Sequence, residues 1–281
     1  MVKIGKINQL KVVKSVDFGL YLDGGSFGDI LLPKRYVPKN CKLGTILNVF
    51  IYFDSNDRII ATTQYPFAMV GQVAYLQVVS VSSFGAFVDW GLAKDLLVPK
   101  GEQKRPMEKD KYYFVYVYID KQTNRIVGSA KLNKFIDIDP VEYKEGQGVD
   151  IIIYEKTDIG YKAIVDNEYW GILYKNEVFQ DLTKGQRIKG FVKKVRPDWK
   201  IDLSLYESGY SKVEPLTDKI IAKLEDKNGF IKMNDKTAPE VIYRVFGVSK
   251  KAFKAAIGTL YKQRIILIDQ DGIKLISKET K

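Results

Sequence analysis

Residues 17–34 read DFGLYLDGGSFGDILLPK, and residues 83–100 read SFGAFVDWGLAKDLLVPK. One pattern runs through both at a constant offset of 66: aromatic, Gly, a small or aliphatic residue, aromatic, aliphatic, Asp, then an apolar pair closed by Pro-Lys. The match extends upstream, with LKVVKSV (Leu10 to Val16) on LQVVSVS (Leu76 to Ser82). Downstream, Asp54 falls on Asp120, and one inserted residue sets Arg58 against Arg125. Units of about 60 to 65 residues are too long for a solenoid repeat and right for a small complete domain.

A weaker third copy lies at an offset of 75. GQGVDIIIYEKTDIGYKAIVDNEYWGILYK, from Gly146, lies on GQVAYLQVVSVSSFGAFVDWGLAKDLLVPK, from Gly71. Gly160 matches Gly85, and Ile172 to Lys175 matches Leu97 to Lys100. An extra residue between Gly160 and Asp166 is expected to disturb the register. Ile159 and Lys162 stand near the aromatic positions. Tyr161, Tyr169, Trp170 and Trp199 then form either a second platform or part of the core.

Each unit reads as β-structure. Phe114, Tyr116 and Tyr118 alternate with Val115, Val117 and Ile119, and Gly, Asp and Asn punctuate every ~8–12 residues. About five short strands with glycine bends fit a small closed barrel better than a sandwich. Segments 132–145 and 206–215 read as linkers or short helical connectors.

After Pro215 the pattern becomes helical. Ile220, Ile221 and Leu224 have helical spacing ahead of an Asn-Gly stop. Thr237-x-x-Glu240 has the form of a capping box, and Gly247 closes that segment. Ser249 is a good N-cap for a helix whose apolar stripe is Phe253, Ile257, Leu260 and Tyr261. Asp271-Gly272 signals a hairpin. Three helices and a hairpin make a winged helix-turn-helix.

The chain has no histidine and one cysteine, Cys41, among 281 residues. Ser-His and Cys-His nucleophiles, a structural zinc site and an intrachain disulfide are thereby excluded. Carboxylate-bound magnesium is not, although no short Asp/Glu signature for it stands out. The longest apolar run, Tyr112 to Ile119, is far short of the ~20 residues that span a bilayer. The first residues show neither an apolar core nor a small-residue cleavage site, so no secretion signal is expected and a cytoplasmic location is. Net charge is +11, unevenly spread: +4 over 1–65, +2 over 66–139, −1 over 140–209 and +6 over 210–281. That balance suits a polyanionic partner.

SFGAFVD followed by LLVP, and then an alternating strand ending in Asp and Arg, resembles the S1 motif, an RNA-binding OB-fold. The resemblance implies that the aromatics flanking the glycine stack on bases while an Asp and a basic residue complete the patch. It points to Phe18, Tyr21, Asp54 and Arg58 in the first copy, and to Phe84, Phe87, Asp120 and Arg125 in the second. The family often has a His where Pro33 and Pro99 stand, so Lys34, Arg35 and Lys100 are taken as substitutes. The alternative is that the rings fill the barrel core. Asp54 and Asp120 read as turn or orienting residues.

In the last domain Lys251, Lys254, Gly258 and Lys262 share one helix face. That face offers phosphate contacts, without Asn or Arg to read base edges. Three S1-type units followed by this winged helix, above all residues 233–266, resemble the bacterial conserved virulence factor B family. The expected fold is multidomain and mainly β: three tandem S1-type OB-fold barrels at 1–65, 66–135 and 145–208, then an α+β winged helix at 214–281. The resemblance implies an RNA-binding regulator that acts on messenger-RNA levels or turnover; with the residues themselves it leads to the expectation of a non-enzymatic protein, without cofactor, that binds single-stranded RNA, with RNA-decay or translation machinery as further partners. The alternative is a DNA-binding transcription regulator working through the winged helix.

Overall fold

The computed structural model describes residues 1–137, 142–175, 178, 181–205 and 213–276. Two compact units divide the chain, Met1–Ile138 and Asp139–Lys281.

The first unit holds two barrels. In barrel 1, strands β1 (Ile7–Val16), β2 (Gly19–Asp23), β3 (Asp29–Pro33), β4 (Ile46–Phe53) and β5 (Ile59–Thr62) close in the order β1-β2-β3-β5-β4. Alternation puts Leu10, Val12, Leu20, Leu22, Ile30, Leu32, Val49, Ile51 and Ala61 inside. A bulge between Val12 and Lys14 lets β1 coil and pair with β2 at one end and β4 at the other.

Barrel 2 repeats the plan with β6 (Val73–Val81), β7 (Gly85–Val88), β8 (Leu96–Pro99), β9 (Tyr112–Ile119) and β10 (Ile126–Ser129), in the order β10-β9-β6-β7-β8. Its bulge lies between Val78 and Ser80. It is nearly closed, since β8 and β10 are the two ends of the sheet. Glu102 bridges that seam. Its backbone carbonyl accepts from the Ala130 amide at 2.9 Å, and its carboxylate accepts from Ser129 Oγ and Lys134 Nζ at 2.6 Å each. Part of the expected linker belongs to this barrel. Leu132 and Ile136 are buried, and Phe135 stacks on Tyr116 at 4.3 Å. Residues 138–141 of that linker lie outside the described residues, and Tyr143 at its end packs against the core of barrel 3.

The barrels of this unit share a core. Phe50 and Tyr52 of barrel 1 cluster with Trp90 and the interior of barrel 2. Trp90 meets Phe50 edge-on at 5.8 Å, and its indole N–H donates to the Lys94 carbonyl at 2.6 Å.

In the second unit, β11 (Gly148–Thr157), β12 (Gly160–Val165), β13 (Tyr169–Tyr174), β14 (Arg187–Val195) and β15 (Ile201–Ser204) close barrel 3 in the order of barrel 1. Its bulge, between Ile153 and Glu155, occupies the same place. The extra length does not disturb the register, contrary to expectation. β12 is longer, and the turn 166–168 after it is shorter than its counterparts, so Gly160 still pairs with Tyr174 as Gly19 pairs with Pro33 and Gly85 with Pro99.

The winged helix consists of α1 (Val213–Asp226), β16 (Phe230–Ile231), α2 (Pro239–Phe246), α3 (Lys250–Lys262), β17 (Ile266–Ile268) and β18 (Ile273–Leu275), with sheet order β16-β18-β17. Of the expected linker 206–215, residues 206–212 lie outside the described residues and 213–215 open α1; the last residues, 277–281, also lie outside the described residues. Two sequence expectations need correction. Thr237 is not a cap: α2 starts from Ala238 with Pro239 in its first turn, while Thr237 Oγ1 accepts from the Asn234 amide. Tyr261 is exposed, and Ala256 takes its place beside Phe253, Ile257 and Leu260, because helical spacing turns position 261 past the core. Ser249 caps α3 as expected, accepting from the Ala252 amide at 3.3 Å.

Candidate nucleic-acid interface

The repeated phrase builds one device three times. Its glycine sits where the first hairpin crosses the third strand. A Cβ at Gly19, Gly85 or Gly160 would lie 2.2, 2.2 or 2.0 Å from the carbonyl oxygen of Leu32, Val98 or Leu173. The residue before each glycine is then fastened to the lysine that ends the phrase. Phe18 O accepts from the Lys34 amide at 2.8 Å, Phe84 O from Lys100 at 3.1 Å, and Ile159 O from Lys175 at 3.0 Å. Gly and Pro-Lys recur together because they put an exposed side chain beside a cation. Lys175 completes the set, a role its alignment with Lys100 already signalled.

The rings are surface, not barrel core. Phe84 is 76% exposed and Phe18 is 57% exposed. Tyr21 and Phe87 are half-buried. Phe18 and Tyr21 meet edge-to-face at 6.4 Å, with Lys14 Nζ 5.9 Å from the Tyr21 ring. Lys34, Arg35 and Lys100 are exposed around them, Arg35 lying over Tyr36 at 4.8 Å. Beside Gly85 a cleft of about 280 Å³ is lined by Lys100, Lys104 and Arg105. The last two carry no mark in the repeated phrase. Exposed rings beside unburied cations can stack bases and hold phosphates.

Asp54 and Asp120 are turn residues. Asp54 accepts from the amides of Asn56 (2.8 Å) and Arg58 (2.9 Å) and from Arg58 Nε (2.9 Å). Slight burial works to raise its carboxyl, but these donors hold it below its ordinary value. Asp120 accepts from Thr123 Oγ1 at 2.7 Å and from the Thr123 and Gln122 amides, and the hydroxyl bond lowers its pKa most. The same turn recurs in barrel 3 as Arg196–Lys200, closed by the Arg196 amide on the Lys200 carbonyl. Asp57, Asn124 and Trp199 take the left-handed position in the three turns, directly before Arg58, Arg125 and Lys200. Arg58 is bound to its own Asp54. Arg125 reaches out of its barrel to Asp57 of barrel 1, and Lys94 pairs with the same Asp57 at 3.5 Å while donating to the Asp54 carbonyl at 2.6 Å. The two motif arginines are therefore tethered rather than free.

Barrel 3 lacks the aromatic pair. Tyr161 and Tyr169 are core, and Lys162 lies over Trp170 at 3.9 Å and Tyr154 at 5.4 Å. Trp199 is 58% exposed. On α3 of the winged helix, Lys251, Lys254 and Lys262 are exposed, and Lys254 pairs with Asp235 at 3.6 Å. Among the described residues no group of three or more Asp, Glu or Cys side chains gathers as metal ligands would, and no helix is long and apolar enough to cross a membrane.

A family model described as the S1 domain matches residues 4–64 and 70–130, which are barrels 1 and 2. A chain of such barrels carrying these surfaces belongs to the nucleic-acid-binding proteins of the S1 class. Another model, described as the CvfB-like winged helix domain, matches residues 218–275. Conserved virulence factor B of Staphylococcus aureus is 25% identical over 287 residues, covering 98% of this chain and 95% of its own. The protein YitL of Bacillus subtilis, described as uncharacterized, is 29% identical over 264 residues, 90% of this chain and 87% of its own. A solved multidomain protein with nucleic acid binding domains from Streptococcus pneumoniae shares 24% identity, covering 97% of this chain and 98% of that one at a TM-score of 0.40. Over nearly its whole length the chain is similar to the conserved virulence factor B proteins, and its last domain matches the winged-helix model that carries their name.

Proposed function

We propose that this protein is a cytoplasmic, non-enzymatic regulator that binds single-stranded RNA and acts on messenger-RNA levels or turnover. The observation that carries the reading is Phe84, 76% exposed and bonded through its carbonyl to the amide of Lys100. A ring held open beside a cation suits a splayed base and its phosphate, whereas side chains cannot read the narrow major groove of A-form duplex. The net charge of +11 adds the salt-dependent part of the attraction. RNA-decay or translation machinery are the partners to test first.

Fluorescence anisotropy of the full chain at fixed salt tests the ligand class. Single-stranded RNA is expected to bind more tightly than duplex RNA or duplex DNA. Equal or tighter binding to duplex DNA would favour transcriptional control through the winged helix. The RNA is expected to be recovered uncut after incubation with magnesium. Cleavage that vanishes on changing one Asp or Glu would overturn the non-enzymatic part.

A further inference from the structure

Barrels 1 and 2 enclose a cleft of about 340 Å³ that neither forms alone. Phe84 and Phe87 line it from barrel 2, and Phe53 and Asp57 line it from the end of β4 and the turn beyond in barrel 1. Its volume lies at the small end of ligand sites, and its walls combine rings with a few polar groups, as such sites do. Neither Phe84 nor Phe87 packs on another ring among the described residues. Asp95 lines the same cleft without a hydrogen-bond or ion-pair partner among the described residues. Asp95 is exposed at the edge of the cleft, and partial desolvation and then the charge of Asp89 raise its carboxyl. The walls are fixed: Arg125 and Lys94 both bind Asp57, and Trp90 ties the barrels together below.

We propose that this cleft is a nucleobase pocket shared by the two barrels. One unpaired base of a single strand enters between Phe53 of barrel 1 and Phe84 and Phe87 of barrel 2, its edge N–H donating to Asp95. The proposal rests on the single-strand reading above and adds a residue outside the repeated motif. Phe53 has Ile119 as its counterpart 66 positions on, so barrel 2 carries no matching ring at the end of its own fourth strand. A base held in a duplex reaches such a cleft only after unstacking and unpairing.

The test is anisotropy of labelled oligouridine with the full chain, its Phe84→Ala variant and its Phe53→Ala variant, all at one salt concentration. Phe53→Ala is expected to weaken binding about tenfold or more, as loss of one stack does. Photo-crosslinking of the parent to 5-iodouridine RNA is expected to label segments 52–57 and 84–87 alike, and it decides the matter if Phe53→Ala does not fold. A parent chain that binds no single strand overturns the single-strand reading and this proposal with it. A parent that binds, weakens with Phe84→Ala and is indifferent to Phe53→Ala, or crosslinks only through barrel 2, overturns the shared pocket alone.

Discussion

Arg125 of the second barrel forms its ion pair with Asp57 of the first, not with the aspartate of its own turn. Asp57 also holds Lys94, so one carboxylate occupies two cations beside the exposed rings. Replacing it with Asn adds one net positive charge, releases Arg125 and leaves Lys94 held only by the Asp54 carbonyl. We expect Asp57→Asn to steepen the dependence of log affinity on log salt by ~0.7 for each further phosphate that a single strand places against the released cations. Exposed pairs contribute roughly 1 kcal/mol or less, so the unfolding temperature should barely move. An unchanged salt slope would show that these cations do not face RNA.

Gly85 separates the structural part of the repeated phrase from its binding part. A Cβ there meets the Val98 carbonyl oxygen at 2.2 Å, where only backbone movement can relieve the clash. Gly85→Ala should destabilise the first unit by ~1–3 kcal/mol, as overpacking does. Thermal unfolding beside the parent reads this, and an unaltered midpoint would contradict the close approach.

Glu102 gives that unit an acid-sensitive seam. Partial burial works to raise its carboxyl, but hydrogen bonds from Lys134 and Ser129 and the charges of Lys134 and Lys131 hold it below its ordinary value of 4.5. A depressed carboxyl stabilises fully above the unfolded value, and the contribution is lost as pH falls through the folded one. Unfolding temperature should therefore decline below about pH 4.5, and Glu102→Gln should be less stable near neutrality but lose less on acidification. Parallel pH curves for parent and variant would refute the bridge.

Trp199 takes a left-handed backbone conformation with φ of 63°, a position that Asp57 and Asn124 fill in the sister turns. A bulky residue is strained there, and an Asn is not. Trp199→Asn should stabilise barrel 3 by about 1 kcal/mol. A loss of stability, read by thermal unfolding, would mean that the exposed indole packs on something it needs.

The three barrels were legible because the same spacing of glycine, apolar pair and closing lysine serves the same strand crossing each time. The rings were legible as a motif, but their exposure was not, since an aromatic in a strand has one spacing whether it points in or out. What escaped lies where the copies differ. Trp90 and Lys94 bind barrel 2 to barrel 1, Phe53 lines the cleft between them, and their counterparts 66 residues away are Gly24, Gly28 and Ile119. A search for likeness passes over such positions, although an unmatched tryptophan beside a shared Asp is a signal. In the winged helix, Tyr261 and Thr237 followed sound local rules that the neighbouring Ala256 and Pro239 overrode.

The most direct measurement is the affinity of full-length Phe84→Ala/Phe87→Ala for single-stranded RNA at several salt concentrations, with circular dichroism to show the variant folded. Stacking on exposed rings predicts a loss of ~1–3 kcal/mol for each base contact removed, with the slope of log affinity against log salt unchanged. A folded variant that binds like the parent would contradict the account, because the rings that the repeated phrase holds open would then not be where RNA is bound.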